Sequence, residues 1–141
     1  MFKKILMATD GSEFSLKAAR LAVRLASTLG AELVVITEET LSEAYLCPPK
    51  LVREIEQAFE RESNRFLAEI AEIAGASNVP CRTKRVRHDS PFQAILDTAA
   101  AEACDLIVMG SHGRSGVKAL ILGSVTQKVL AHATIPVLVS R

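Results

Sequence analysis

At 141 residues the chain is long enough for one domain with a single sizeable core. Hydrophobic residues make up 49% and charged residues 23%, which excludes a disordered chain. Net charge is +1, so nothing in the charge balance points to a nucleic-acid groove. The opening Met1–Met7 carries two lysines and meets Asp10 too soon for the core of a signal peptide. No apolar run reaches the roughly 18 residues that span a bilayer. Ile5-Leu6-Met7-Ala8 is a short apolar run that stops at Thr9-Asp10-Gly11-Ser12, which predicts a buried strand. A helix is expected over Glu13–Leu29, with Ala18, Leu21, Ala22, Leu25, Ala26 and Leu29 on one face and Gly30 as its stop. Ala31–Ile36 predicts a second buried strand, and Thr37–Cys47 reads as polar and irregular.

Pro48-Pro49 marks the start of a long helix reaching Ala74, with Val52, Ile55, Phe59, Phe66, Ile70 and Ile73 at helical spacing. Its charges, Arg53 to Arg65, read as a mixed solvated face. Val79–Arg87 is a weaker strand whose Arg82, Lys84, Arg85 and Arg87 suit the edge of a sheet. Ser90-Pro91-Phe92-Gln93 has the form of a capping box, opening a helix with Phe92, Ile95, Leu96 and Ala99 inward. A buried strand at Leu106–Met109, a helix over Val125–Ala131 and a closing strand at Ile135–Val139 complete the alternation. Strands too apolar to face water on either side argue for a parallel sheet covered by helices on both faces. Three widely spaced cysteines, Cys47, Cys81 and Cys104, form neither a disulfide framework nor a zinc pattern, and a cytoplasmic setting is expected.

In such sheets ligands sit beyond the carboxyl ends of the strands, where strand order reverses. Thr9-Asp10 and Gly110–Gly116 both follow strands and both belong on that edge. If the first and fourth strands are neighbours, they face each other across the switch point. Gly110-Ser111-His112-Gly113-Arg114-Ser115-Gly116, with Gly123-Ser124 beyond it, leaves backbone N–H groups free between a strand and a helix, which suits a phosphate. It is neither a P-loop nor a G-x-G-x-x-G fingerprint. Ser124-Val125-Thr126-Gln127 also has the form of a capping box. Asp10 is open to helix capping and to ribose recognition, and its place beyond the first strand favours the sugar. His112 and Ser111 are the residues an enzyme would use there, but phosphoryl transfer also needs a metal-holding group, and the nearest carboxylates are Asp105, Asp10 and Glu38.

Gly110-x-x-Gly113, nine residues, then Gly123-Ser124 resembles the nucleotide motif of the universal stress protein family. The likeness extends over nearly the whole chain, through Lys4–Ser12, Asp105–Gly113 and Pro136-Val137-Leu138-Val139. It implies a doubly wound, Rossmann-like sheet of five parallel strands binding ATP or AMP, with or without Mg, in a homodimer. By the same resemblance, phosphates meet Gly110, Gly113, Gly123, Ser124 and Val125, with Arg114 as a secondary contact. Asp10 takes the ribose, and Ala8, Thr9, Met109 and the backbone of Glu38 surround the adenine. Val137 and Val139 would lie at a dimer interface formed by the closing strand. The chain departs from the family pattern at Thr37-Glu38-Glu39-Thr40, where many members have histidine and then a small apolar residue. It departs again at His88-Asp89-Ser90, where glycine is common.

Overall fold

The computed structural model describes residues 1–40, 44–113 and 121–141. Its elements are β1 (Lys4–Ala8), α1 (Glu13–Leu29), β2 (Glu32–Glu39), a short 3-10 turn (Ala44–Leu46), α2 (Pro49–Ala76), β3 (Cys81–Arg87), α3 (Pro91–Ala101), β4 (Leu106–Gly110), α4 (Ser124–His132) and β5 (Val137–Ser140). All four strand pairings are parallel and the order is β3-β2-β1-β4-β5. Strand order therefore reverses between β1 and β4, which are direct neighbours with Met7 opposite Val108.

Alternation along the strands sorts the core into two layers. Ile5, Met7, Leu33, Val35 and Val108 face α1 and α2, while Leu6, Val34, Ile36, Ile107 and Met109 face α3 and α4. Ile5, Leu6 and Met7 are fully buried, and each burial stabilises the fold by roughly 1.5–3 kcal/mol. The carboxyl-terminal half of α2 contributes Phe66, Leu67, Ile70 and Ala74 to the first layer. Its amino-terminal half keeps Val52, Ile55 and Phe59 only half-buried.

Local signals set most boundaries. The Ser12 hydroxyl accepts the Ser15 N–H at 3.2 Å and caps α1, and Gly30 ends it at φ 63°, a left-handed conformation that glycine adopts without a Cβ penalty. Where structure and expectation differ, long-range pairing decides. β2 does not stop at Ile36 but runs on through Thr37-Glu38-Glu39, because β3 continues alongside it as far as Arg87. The buried Glu39 carboxylate lies 3.6 Å from Arg85 and 3.9 Å from Arg87. Glu56 and Glu60 of α2 also reach these arginines, so part of the supposedly solvated face of α2 is an ion-pair seam against β3. On the other side of β3, Arg82 and Lys84 both pair with Glu102.

Two expected capping boxes do not form. Ser90 and Gly123 stand at the N-cap positions of α3 and α4, and neither helix has a side-chain cap. Gln93 donates instead to Asp97 at 2.8 Å, and Ser124 is the first residue inside α4 rather than its cap. β5 begins at Val137 because Pro136 has no N–H to give a ladder; its carbonyl accepts the Ile107 N–H at 3.0 Å.

Candidate functional site

The carboxyl edges of β1, β2 and β4 and the amino ends of α3 and α4 enclose a cavity of about 740 Å³, including its open mouth. Its walls include Ala8, Thr9, Asp10, Glu38, Met109, Gly110, Gly113, Gly123, Ser124 and Val125. Those are the site residues expected from the sequence, except Arg114, which lies outside the described residues.

At one end the glycines divide into different tasks. A Cβ on Gly113 would stand 2.7 Å from Oδ2 of Asp10, so glycine here lets the loop close over that carboxylate. A Cβ on Gly110 would meet the Phe14 carbonyl carbon and oxygen at 3.0 Å. That position is glycine because α1 packs backbone-to-backbone on β4. Gly123 comes close to the preceding loop, and its N–H is already committed to the Ser111 carbonyl at 2.8 Å. That N–H is therefore engaged within the protein. Among the described residues, the N–H groups of Ser124 and Val125, in the first turn of α4, have no side-chain cap and are open to an anion. Thr126 is not among the cap donors either: its hydroxyl reaches back to the Gly110 carbonyl at 2.9 Å.

His112 stitches the same end together. Its Nε2 donates to the Ile121 carbonyl, which fixes the tautomer and leaves Nδ1 to accept the Ser111 hydroxyl at 2.9 Å. Its ring also lies 5.1 Å from that of Phe14. Ser111 itself is 1% exposed, so the pair forms a clasp between loop ends, not an accessible nucleophile with its base. Among the described residues, no group of three or more His, Cys, Asp and Glu could hold a metal ion.

Asp10 stands between the two ends. Its Oδ1 accepts the Ser12 N–H at 2.9 Å, while Oδ2 lies beneath Gly113. It thus supports the start of α1 without being the cap, which is Ser12. At the other end Ala8, Ile36, Pro91, Ile95 and Met109 line an apolar slot. Ile36, Pro91 and Ile95 were not anticipated there; the only available signal was that α3 must start at the same edge of the sheet. Thr9 N–H donates to the Ile36 carbonyl at 2.9 Å. Because parallel ladders alternate, the N–H and C=O of Glu38 turn to the same side, where β1 has already ended. Its side chain, on the Ile36 face of β2, accepts the Thr40 hydroxyl. Burial pushes the Glu38 carboxyl above its ordinary value, opposed by the Thr40 hydrogen bond and by His88. His88 accepts the Ser90 N–H on Nδ1 and points Nε2 at Asp97, 3.5 Å away.

A five-stranded parallel sheet with its cavity at the switch point, bounded by a glycine-bearing turn and a helix start without a side-chain cap, defines a doubly wound, Rossmann-like α/β domain. The model of the universal stress protein family matches residues 1–141, and the chain belongs to that family. A universal stress protein of Thermus aquaticus is 39% identical over 141 residues, with both chains covered in full. The solved structure of hypothetical protein MJ0577 superposes with a TM-score of 0.87 at 27% identity, covering 99% of this chain and 96% of that one. A universal stress protein crystallised in complex with cAMP gives a TM-score of 0.77 at 25% identity, covering 99% and 97%.

Proposed function

We propose that this protein binds an adenine nucleotide, ATP or AMP, and that occupancy shifts its stability or its choice of partner. One observation carries the reading: residues far apart in the chain, from Ala8 to Val125, converge on a single cavity. That cavity has anion-binding donors at one end, a carboxylate midway and an apolar slot at the other. The phosphates meet the N–H groups of Ser124 and Val125 beside Gly113. Asp10 accepts from the ribose hydroxyls, and the base enters the slot between Ala8, Ile36, Ile95 and Met109. There the main chain of Glu38 offers it one donor and one acceptor. Mg, where present, arrives with the phosphates. The cAMP complex of a relative supports this choice of ligand class. A ligand that favours the folded state raises its stability by mass action, and one that favours a particular conformer shifts its population.

Isothermal titration with ATP and AMP is the test, with saturable binding expected. No heat at millimolar nucleotide would overturn the reading. Mass spectrometry of protein purified without added nucleotide is expected to reveal a co-purified adenine compound.

Two further parts of the reading concern setting and assembly. Among the described residues no helix is long and apolar enough to cross a membrane, and all three cysteines are free thiols, which suits the reducing cytoplasm. Among the described residues β5 pairs with β4 alone, at the end of the sheet. Val137 and Val139 are half-buried against the α3–α4 layer, leaving part of each for a second copy. Sedimentation at micromolar concentration should show a dimer; a monomer would remove this part alone.

A further inference from the structure

Glu38 borders a slot whose other walls, Ala8, Ile36, Pro91, Ile95 and Met109, are aliphatic. Among the described residues, Thr40 is its one hydrogen-bond partner, and a carboxyl group has acceptor capacity beyond that single bond. Its side chain lies on the Ile36 face of β2, and Ile36 lines the slot, so the acid has bonding capacity to spare beside it.

The pairing rules of the bases decide what it can read. Adenine presents its exocyclic amino donor next to a ring-nitrogen acceptor on both of its hydrogen-bonding edges. A protonated carboxyl group, one donor beside one acceptor, complements either edge. An ionised carboxylate offers acceptors only, and sets one of them against the adenine ring nitrogen. Guanine reverses the preference, because its ring N–H and exocyclic amino group are adjacent donors that a carboxylate accepts as a pair.

We propose that Glu38 is the specificity-determining side chain of the base slot: it reads adenine as a carboxylic acid, so that adenine binding takes up a proton, and as a carboxylate it favours guanine. This rests on the nucleotide reading given above and adds to it a dependence on pH. The proton taken up comes from solvent and resides on the Glu38 carboxyl, and no other bond changes.

The charged surroundings allow it. Burial raises the carboxyl above its ordinary value, the Thr40 hydrogen bond and His88 lower it, and Glu39 raises it. His88, at the end of β3, is itself paired with Asp97 of α3. Asp10 and His112 border the same cavity beyond β1 and β4, and Glu62 of α2 borders the hollow on the opposite face of β2. Among the described residues, the Glu39 carboxylate favours protonation of Glu38, while the Thr40 hydrogen bond and His88, when charged, oppose it.

The experiment measures AMP and GMP affinity by titration calorimetry at about pH 5.5 and about pH 8, for the full wild-type chain and for Glu38→Gln. The two nucleotides carry the same phosphate, so titration of the phosphate cancels in their ratio. In the wild type the preference for AMP over GMP should fall by roughly tenfold or more from the lower to the higher pH. Glutamine keeps one donor and one acceptor at every pH, so the variant should favour AMP with a ratio that does not change. Glu38→Ala, included in case the glutamine variant folds poorly, keeps the main-chain contacts and should also lose the pH dependence. A wild-type ratio independent of pH, or an equal pH dependence in both variants, would overturn the role of Glu38 and leave the nucleotide site standing. If neither nucleotide binds at either pH, the nucleotide reading fails and this inference falls with it.

Discussion

The two ends of the cavity are built on different principles. At the glycine-rich end the side chains are small or absent, and the geometry is fixed by main-chain contacts: Gly123 N–H on the Ser111 carbonyl, the Thr126 hydroxyl on the Gly110 carbonyl, and α1 pressed on Gly110. At the slot end the ladder between β2 and β3 sets the course of the main chain, and side-chain chemistry enters through Glu38, Thr40 and His88. A main-chain site admits few residue types at each position and is specific about anions. A side-chain site can be rewritten one residue at a time, which is where a chain can diverge from its relatives without losing the fold.

The difference can be broken first at the glycines. Gly113→Val should push Asp10 aside and lower nucleotide affinity by roughly a hundredfold or more, with little change in Tm. Gly110→Val should do the reverse. It forces α1 off β4, costs roughly 1–3 kcal/mol and lowers Tm by several degrees. Parallel melts and titrations separate the two, and equal losses of stability would show that both glycines are scaffolding. Next in size is Asp10→Ala, expected to weaken AMP about tenfold through lost hydrogen bonds to a charged group. The same change should cost a ligand lacking ribose hydroxyls much less, and an equal cost for both would remove the sugar contact.

Helix starts give a smaller contrast. Ser12→Ala removes a hydroxyl that caps α1 and should cost about 1 kcal/mol in denaturant unfolding. Ser90→Ala removes a hydroxyl that makes no cap bond to α3 and should stay within about 0.5 kcal/mol. The smallest effect is the pH dependence of the unliganded fold. Glu38 has an ordinary value of 4.5 and is raised in the folded state, chiefly by burial. The fold therefore holds this proton to higher pH than the unfolded chain does. Its penalty is fully present above the folded value and disappears as pH falls through 4.5. Glu38→Gln should melt higher than wild type at alkaline pH, by about 2 °C or less, and the gap should close on acidification. A constant gap would place its cause elsewhere.

Most of the framework was legible because it depends on local patterns. Ile5–Ala8 and Leu106–Met109 are apolar runs too short and too continuous for anything but buried strands, and Gly30 could only be a stop. The extension of β2 was not legible. Thr37-Glu38-Glu39 looks like a loop until Arg85 and Arg87 are placed beside it, and those arginines lie more than forty residues away in the sequence. The caps failed for a related reason. Ser90 and Ser124 fit a local motif, but Gln93 found Asp97 and the last helix began one residue early. At the cavity, the residues with special backbone demands were visible in the sequence. The aliphatic wall of Ile36, Pro91 and Ile95 was not, because nothing distinguishes a wall residue from a core residue until the strands are in register.

The sheet's two edges also differ, and that difference sets a limit on assembly. At the β3 edge Arg82, Lys84, Arg85 and Arg87 are all held by carboxylates of the same chain, a fringe that discourages another strand from docking. The four residues of β5, Val137–Ser140, are all uncharged. A head-to-tail array would need one copy's β5 to add to the next copy's β3, and the charged fringe blocks that contact. Were two copies to meet through β5 alone, the contact would be self-complementary and would close on a two-fold axis, with no free end from which a filament could grow.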